Sequence, residues 1–240
     1  MRLPDPPALV PPVRWVGQEE ASLRLMCEFK RRSPSAGELS SKLSIEQRVR
    51  CYEDNGADLI SVLCDSAFFG GAYEDLSRAR SATSLPLLCK EFIIDEVQLD
   101  AARAHGASLV LLIVRCLGET DLQRLIKAAG ERGLEPLVEV FNEQEARIAQ
   151  HAGARFIGVN ARDLDTLKMD SERANRVVSG FGPGICVAHL SGVKSPQDVA
   201  RVRDSRADAA LIGEVLMRKD DPGPTLAQFA ASAASSAAAT

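Results

Sequence analysis

The sequence has no C-x-x-C pair among its six cysteines, and no apolar run approaches the roughly 20 residues that a membrane-spanning helix needs. Without that spacing, a cysteine metal site is not expected. Four of the cysteines, Cys27, Cys64, Cys89 and Cys186, fall inside apolar segments, where a free thiol behaves as a small hydrophobe. We therefore expect free thiols in a reducing cytoplasm, with no disulfide framework and no membrane partner.

Charge of one sign is also lacking, because 29 lysines and arginines balance 33 aspartates and glutamates to a net charge of −4. No nucleic-acid partner is expected from such a balance, and an anionic ligand would need a local cluster of cations and backbone amides. The proline-rich stretch MRLPDPPALVPPVRW lacks the apolar core of a secretory signal. We expect a soluble, cytoplasmic protein that is a monomer or a weak homodimer.

No G-x-G-x-x-G follows the first apolar segment, which counts against a dinucleotide-binding fold. The chain instead alternates short apolar segments with helical patterns, and NGADLI, HGASLV, AGARFI and SRADAA repeat a helix stop before a strand. Apolarity on both faces indicates a parallel sheet. Eight such units in 240 residues favour one (β/α)8 TIM barrel with its active site at the carboxyl ends of the strands. The predicted strands are 23–31, 58–65, 86–92, 108–114, 135–140, 156–160, 185–190 and 209–213.

The organisation outside the strands follows from turn and capping signals. SIEQ, from Ser44 to Gln47, predicts a capping box at the start of the first helix. Residues 32–42 and 68–71 are predicted loops. We expect a proline-rich arm over 1–22, the barrel over 23–222, and a terminal helix with an alanine- and serine-rich, low-complexity tail over 223–240.

Polar side chains gather where the predicted strands end, whereas the strand starts are predicted to carry almost none. Because the active site of this fold lies at the carboxyl ends of its strands, the clustering predicts a functional site. Capping of single strands explains one or two of these residues but not the whole set. In chain order they are Glu28, Lys30, Asp65, Lys90, Glu91, Phe92, Arg115, Glu139, Asn160, Arg162, Asp163, His189, Ser191, Gly192 and Gly213.

The charged members of this set suit acid–base chemistry. Glu28 and Lys30 are two residues apart, so they share one face of their strand, as either a structural ion pair or a functional one. Glu139 interrupts the apolar segment EPLVEV, and Lys30 and Lys90 would face it across the barrel mouth. Such groups tune one another's pKa values, which suits proton transfer near neutral pH. The alternative is a salt bridge at the rim.

The last two strands carry a possible phosphate site. Ser191-Gly192 and Gly213 offer backbone amides that a bulky side chain would block, and a short helix is predicted to begin at Glu214. In this fold the loops after those strands commonly bind phosphate. The alternative is that both glycines are turn residues. His189 could reach the same site, although a lone histidine there is more often simply hydrogen-bonded.

With these residues in view, the chain resembles the indole-3-glycerol phosphate synthase family of tryptophan biosynthesis. The resemblance covers about residues 23–222. Its specificity comes from several long motifs in the right order, because no one of them would be sufficient singly. They are CEFKRRSPSAG, SVLCDSAFFGGAYEDL, PLLCKEFIIDEVQLDAARAHGASLVLLIV, LEPLVEV, GARFIGVNARDLDTL and ALIGEVLMR.

The resemblance implies a carboxy-lyase without cofactor or metal. Its substrate would be 1-(2-carboxyphenylamino)-1-deoxyribulose 5-phosphate, closed to indole-3-glycerol phosphate with loss of CO2 and water. Lys90 matches the general acid and Glu139 the carboxylate that assists proton removal and dehydration. Lys30 matches the lysine that faces the substrate carboxylate, with Glu28 as its partner, and Asn160 matches a residue that holds carboxylate and hydroxyls.

The same resemblance implies the binding residues. Phe92 matches an apolar wall against the anthranilate ring, and Arg162 supports the loop of Asn160. Ser33 and Ser191 match substrate contacts, and the phosphate would be bound at Gly192, Gly213 and Glu214.

Two departures from the family pattern stand out. The family usually has E-S-G-I after the seventh strand, whereas this chain has Leu190-Ser191-Gly192-Val193, so a carboxylate at the rim is lost. We expect neighbouring lysine pKa values to shift, and His189 is a hypothetical partial substitute. The family also has a longer helical extension before the first strand, so weaker substrate binding or another lid is expected.

Two alternatives to an active synthase stay open. One is a diverged, weakly active or non-catalytic barrel of the same family that binds a phosphorylated ligand or a partner protein, which Leu190 favours. The other is a related barrel isomerase acting on an aminated ribulose phosphate, against which the KEF and EPLVEV motifs argue.

Overall fold

Eight parallel strands close into a barrel in the computed structural model, which describes residues 3–8, 10, 22–34, 37–39, 42–163 and 166–234. Each strand pairs with its neighbours in chain order, and the first also pairs with the last. The predicted (β/α)8 barrel is therefore confirmed. The strands are β1 Arg24–Phe29, β2 Leu59–Leu63, β3 Leu87–Lys90, β4 Leu109–Ile113, β5 Glu135–Val140, β6 Phe156–Val159, β7 Cys186–His189 and β8 Ala209–Ile212.

Helices follow the strands on the outside of the barrel. The predicted capping box is present, since Ser44 Oγ accepts from the Gln47 amide over 3.2 Å and Gln47 Oε1 accepts from the Ser44 amide over 2.9 Å. Among the described residues the helices are α1 Ile45–Asp54, α2 Ser66–Phe69, α3 Tyr73–Arg80, α4 Glu96–Ala104, α5 Glu119–Glu131, α6 Glu143–His151, α7 Ser171–Ser179, α8 Pro196–Arg203, α9 Glu214–Met217 and α10 Gly223–Ala233, with a 3-10 turn at Val114–Cys116.

Side chains alternate along each strand between the barrel interior and the surrounding helices. The interior below the mouth is filled by a set that we call the barrel floor. Its leucines contribute on the order of 2 kcal/mol each by burial. The barrel floor consists of Met26, Leu59, Leu88, Leu109, Leu137, Phe156, Ala188 and Ala209, all buried.

The same alternation decides which polar residues enter the mouth. Counting two residues onward from the barrel floor gives Glu28 after Met26, Lys90 after Leu88, and Glu139 after Leu137. A period of two residues keeps each of them on the inward face. The mouth is therefore polar directly above an apolar interior.

Several local predictions need correction. Within the predicted loop 32–42, Arg32–Ser33 pairs antiparallel with Gly37–Glu38. The predicted loop 68–71 begins inside α2, which forms because Asp65 Oδ1 accepts from the Phe68 amide over 2.6 Å.

The terminal helix predicted within 223–240 is present as α10. It packs against α8 and α1 and buries Leu226 and Phe229. Of the predicted arm over 1–22, only residues 3–8, 10 and 22 lie within the described residues, and the tail beyond 234 lies outside them.

The start of the barrel is more polar than predicted. Arg24, the first residue of β1, donates to Asp58 Oδ1 over 3.1 Å, and Arg206 donates to Asp208 Oδ2 over 2.9 Å. Asp208 Oδ2 also accepts from the Val187 amide. These carboxylates precede their strands and satisfy charges and amides at the amino ends. Among the described residues, no helix is both long and apolar enough to cross a membrane.

Candidate active site

A cavity of about 360 Å³ opens at the carboxyl ends of the strands. Its lining comes from every barrel strand or the loop that follows it, which is why residues far apart in the sequence meet there. This lining contains all twelve residues to which the family resemblance gave a catalytic or binding role. They are Glu28, Lys30, Ser33, Lys90, Phe92, Glu139, Asn160, Arg162, Ser191, Gly192, Gly213 and Glu214.

A buried carboxylate between two lysines forms the charged centre of the cavity. Lys30 Nζ donates to Glu28 Oε1 over 2.5 Å, and Lys90 Nζ donates to Glu28 Oε2 over 2.9 Å. Glu28 is only 2 % exposed, so its charge depends on these partners. The prediction left open whether this pair is structural or functional, and its position inside the cavity makes it available to a ligand.

Burial and ion pairing act in opposite directions on these groups. Burial raises the pKa of Glu28, but Lys30 and Lys90 outweigh it and hold the value at about 2. Burial lowers the pKa of Lys90, but Glu28 and Glu139 more than compensate and raise it above its ordinary value. Lys90 is therefore protonated at neutral pH, and its pKa is shifted away from neutrality.

Glu139 is held by a different set of contacts on the opposite wall. Burial raises its pKa above the ordinary value, against the lowering effects of Lys90 and of a hydrogen bond from Asn160. Asn160 Nδ2 donates to Glu139 Oε1 over 2.9 Å. An uncharged donor and a buried setting leave this carboxylate more basic than a surface glutamate.

Ser191 orients Asn160. Its hydroxyl donates to Asn160 Oδ1 over 2.8 Å and accepts from the amides of Ala161 and Arg162 over 3.0 and 3.2 Å. The hydroxyl therefore joins the end of β7 to the loop after β6. Sequence reasoning assigned Ser191 to substrate contact, but its hydrogen bonds within the protein indicate a positioning role.

The two glycines of the predicted phosphate site are explained by local packing. A Cβ on Gly213 would lie 2.4 Å from Glu28 Oε1 and 3.1 Å from Lys30 Nζ, so glycine leaves room for the ion pair. Gly192 has φ +95°, a left-handed conformation that favours glycine. Glu214 begins α9, and its carboxylate accepts from Arg218 over 3.0 Å.

Apolar side chains also line the cavity. Leu190, after β7, fills the space above Gly158, where a Cβ would come within 2.4 Å of the leucine Cδ1. Phe92, after β3, lines the cavity as well, and Phe68 stacks edge-on against it with the ring centroids 6.3 Å apart. The cavity thus offers apolar surface beside its charged groups.

His189 does not reach the cavity, so the hypothesis that it substitutes for the missing carboxylate is wrong. It is buried on the helix-facing side of β7, whereas Ala188 and Leu190 on either side belong to the interior. Its Nδ1 finds no hydrogen-bond partner among the described residues, and burial lowers the pKa of the ring. The alternation along β7 was the signal that could have excluded it.

Arg115 also lies outside the main cavity. It donates to Glu145 Oε1 over 3.2 Å and to Asp163 Oδ2 over 3.5 Å, so it joins α6 to the loop after β6. Sequence reasoning also missed several lining residues. Leu111 and Ile113 follow the floor residue Leu109 at two-residue spacing, which could have identified them as lining residues. Further lining residues that the sequence did not reveal include Leu63, Val193, Lys194, Leu211, Val215 and Arg218.

Acid pH should expose the contribution of Glu28 to stability. Its ordinary pKa is 4.5 and its folded value about 2, a difference of roughly 3 kcal/mol in favour of the folded state at neutral pH. Because the folded pKa is depressed, this stability is present above 4.5 and is lost as the pH falls towards 2. We expect Glu28→Gln to unfold at lower urea concentration at neutral pH, with the deficit shrinking below pH 4.5.

The matched control is Glu131→Gln, on the surface of α5, whose carboxylate lies 3.8 Å from Lys127 Nζ. An exposed pair of this kind should change the free energy of unfolding by less than about 1 kcal/mol. A Glu28→Gln deficit that does not vary with pH would contradict the stated pairing.

Comparison with solved structures supports the architecture alone. Thiamine phosphate pyrophosphorylase from Pyrococcus furiosus superposes with a TM-score of 0.68 at 19% identity, covering 88% of this chain and 95% of that chain. 3-Hexulose-6-phosphate synthase from Salmonella typhimurium gives 0.70 at 15% identity, covering 88% and 98%. At such low identity these similarities establish the fold and nothing about the reaction.

Barrel, mouth cavity and acid–base cluster together define a (β/α)8-barrel enzyme. The family model described as indole-3-glycerol phosphate synthase matches residues 13–229. The chain belongs to the indole-3-glycerol phosphate synthase family, carboxy-lyases of tryptophan biosynthesis. A relative of that name from Mycobacterium ulcerans is 40% identical over 210 residues, covering 88% of this chain and 77% of the relative. Another from Listeria monocytogenes is 42% identical over 201 residues, covering 84% and 79%.

Proposed function

We propose that this chain converts 1-(2-carboxyphenylamino)-1-deoxyribulose 5-phosphate to indole-3-glycerol phosphate, CO2 and water. One observation carries the proposal: a protonated Lys90, fixed by Glu28, shares a single cavity with the more basic Glu139. Ring closure onto a ketone needs an acid for the oxygen, and the dehydration that follows the loss of CO2 needs a base for a carbon-bound proton. The cavity supplies one of each on separate strands.

Lys90 is the proposed general acid. Its ammonium polarises the ketone oxygen and protonates it as the aryl carbon attacks. The nearby carboxylates keep the lysine charged at neutral pH, and Glu28 Oε2 fixes its direction over 2.9 Å. A fixed cation at the position where negative charge develops stabilises the transition state.

Glu139 is the proposed base for the dehydration. After CO2 has left the attacking ring carbon, it assists removal of a proton from the sugar carbon next to the anilino nitrogen as the former ketone oxygen leaves as water. Burial raises its pKa above the ordinary value, which makes it a stronger base than a surface glutamate. Asn160 holds one of its oxygens and is itself fixed by Ser191, so the other carboxylate oxygen keeps a defined direction.

The other residues are proposed to bind and orient the substrate. Lys30 faces the substrate carboxylate, with Glu28 as its electrostatic partner, and Phe92 packs against the anthranilate ring. Asn160 also contacts the carboxylate and hydroxyls. The remaining proposed contacts are Arg162 and Ser33 for the substrate and the backbone at Gly192, Gly213 and Glu214 for the phosphate, with Ser191 acting through Asn160.

Incubation with the carboxyphenylamino-deoxyribulose phosphate, followed by indole fluorescence, tests the proposal. We expect fluorescence to rise with the wild type and not with Lys90→Ala. The alternative of a binding barrel, which Leu190 favours, has its own signature. A heat of binding measured by calorimetry, together with no rise in indole fluorescence, would establish the binding barrel and overturn the enzymatic proposal.

Leu190→Glu should raise kcat/KM by about tenfold, corresponding to about 1.4 kcal/mol. Leu190 is buried in the cavity lining, where a carboxylate would stabilise positive charge that develops on the anilino nitrogen during dehydration. Steady-state kinetics on this variant measures the effect. Leu190→Gln has the same shape without the charge, and equal rates for the two variants would contradict an electrostatic role.

A further inference from the structure

A buried arginine outside the mouth cavity contacts the residue that holds Glu139. Arg173 Nη2, from the first turn of α7, donates to the backbone carbonyl of Asn160 over 2.9 Å. The side chain of Asn160 is hydrogen-bonded to Glu139, to Ser191 and to the Arg162 amide. Its backbone amide donates to the Val140 carbonyl over 2.9 Å. Asn160 is therefore held by β5 and by the end of β7, and Arg173 adds a contact from the surrounding helices.

The setting of Arg173 is unusual for a charged side chain. It is 8 % exposed, it has no ion pair among the described residues, and its Nε finds no hydrogen-bond partner there. Burial lowers the pKa of the guanidinium below its ordinary value. Asp170, Asp163 and Glu143 act on its charge without forming an ion pair with it. A buried cation without an ion-paired carboxylate costs free energy, so the direct contacts that Arg173 makes are the ones to explain.

Phe141 provides the main contact. The guanidinium carbon of Arg173 lies 3.2 Å from the centroid of the Phe141 ring, and that of Arg115 lies 4.5 Å from the same centroid. Phe141 follows β5 directly, two residues after Glu139, and its amide donates to Glu145 Oε2 over 2.7 Å. Cation–π contact in a desolvated place holds the arginine plane in one orientation.

We infer that Arg173, stacked on Phe141, is a positioning residue that fixes Asn160 and through it the carboxylate of Glu139. The two ends of the contact flank the base: Phe141 continues its strand, and Asn160 donates to its oxygen. Loss of the stack would let the end of β6 shift and weaken the Asn160–Glu139 hydrogen bond. This inference rests on the proposed role of Glu139 as a base.

Arg173→Met tests the inference, with Phe141→Leu as a second variant that removes the stack from the other side. We expect kcat to fall by about 10- to 100-fold, because small misplacement of a reacting group is costly, while KM changes by less than about threefold. The donor favours the ionised carboxylate, so its loss should move the acid limb of the kcat/KM profile to higher pH. Arg173→Lys, which keeps the charge and a donor, should recover part of kcat.

Arg176→Met is the matched control, because Arg176 lies on the same helix but is exposed, with its Nε 3.9 Å from Glu143. It should leave both kcat and the pH profile unchanged. Either test variant suffices if the other does not fold. The inference is overturned if folded variants lose thermal stability but keep the wild-type kcat and pH profile.

A measurement without substrate separates this inference from the proposed function. The Glu139 carboxyl carbon can be titrated by NMR in the wild type and in Arg173→Met, and we expect a higher pKa in the variant. If the wild type shows no turnover, the proposed function fails while this titration still decides the positioning role. An unchanged titration in an active, folded variant would end the inference.

Discussion

Lys90→Gln should lower kcat by about 100- to 10,000-fold, the range in which a positioned general acid contributes. The amide cannot deliver a proton to the ketone oxygen, and it removes the positive charge from the place where negative charge develops. KM should change far less, since Phe92 and the backbone at Gly192 and Gly213 stay in the lining. Single-turnover and steady-state fluorescence of the indole product measure both constants.

The control for this change is Lys127→Gln, an exposed lysine on α5 that lies 3.8 Å from Glu131. It removes the same charge from the chain without touching the cavity, so its kcat should equal that of the wild type. Retention of more than about a tenth of the activity in Lys90→Gln would show that another group protonates the ketone.

Glu139→Gln should lower kcat/KM by about 100- to 1,000-fold and remove the acid limb of its pH profile. In the wild type only the ionised carboxylate acts as a base, so the rate falls as the pH drops through the Glu139 pKa. That pKa is raised by burial above the ordinary 4.5. The glutamine keeps the shape and the oxygen that accepts from Asn160 but cannot take a proton.

The stability of Glu139→Gln should not fall together with its activity. A raised folded pKa means that the ionised form is disfavoured in the folded protein, so at neutral pH Glu139 lowers the free energy of unfolding. Glu139→Gln removes that cost and should not lower the Tm. Glu135→Gln is the matched control, since it begins the same strand and its pKa is also raised by burial. A pH profile that keeps its acid limb in Glu139→Gln would assign that limb to another group.

The barrel and the convergence at its mouth could be predicted because both depend on strong periodic signals. Two-sided apolar strands indicate a parallel sheet, and closure of eight of them forces their carboxyl ends together. Glu28, Lys90 and Glu139 then meet because each follows a floor residue by two positions. No tertiary detail is needed for that inference.

The parts that escaped prediction depend on contacts across the fold. Gly213 suits an amide-lined phosphate site from the sequence, yet its missing side chain also leaves room for the Glu28–Lys30 pair. The hydroxyl of Ser191 gives no sign in the sequence of where its hydrogen bonds go. Arg173 and Phe141 are 32 residues apart, and no spacing rule connects a helix start to the end of a strand on another unit.

Helix α10 shows a different kind of limit. Its composition, with four alanines among eleven residues, resembles the alanine- and serine-rich tail that follows it, so the sequence alone does not show that the helix packs against the barrel. In the structure Leu226 and Phe229 are buried, and the helix contacts α8 and α1. Tertiary packing outweighs local composition there.

The barrel floor affects the route by which reaction products leave the enzyme. Because every one of its side chains is buried and apolar, the closely packed floor leaves little room for carbon dioxide or water to leave downward from the reacting groups. For the proposed reaction, carbon dioxide and the eliminated water must depart through the same opening that admitted the sugar phosphate. Carbon dioxide and water can then leave only as the bulky product moves out of the cavity. Product release through this opening can therefore limit the turnover rate.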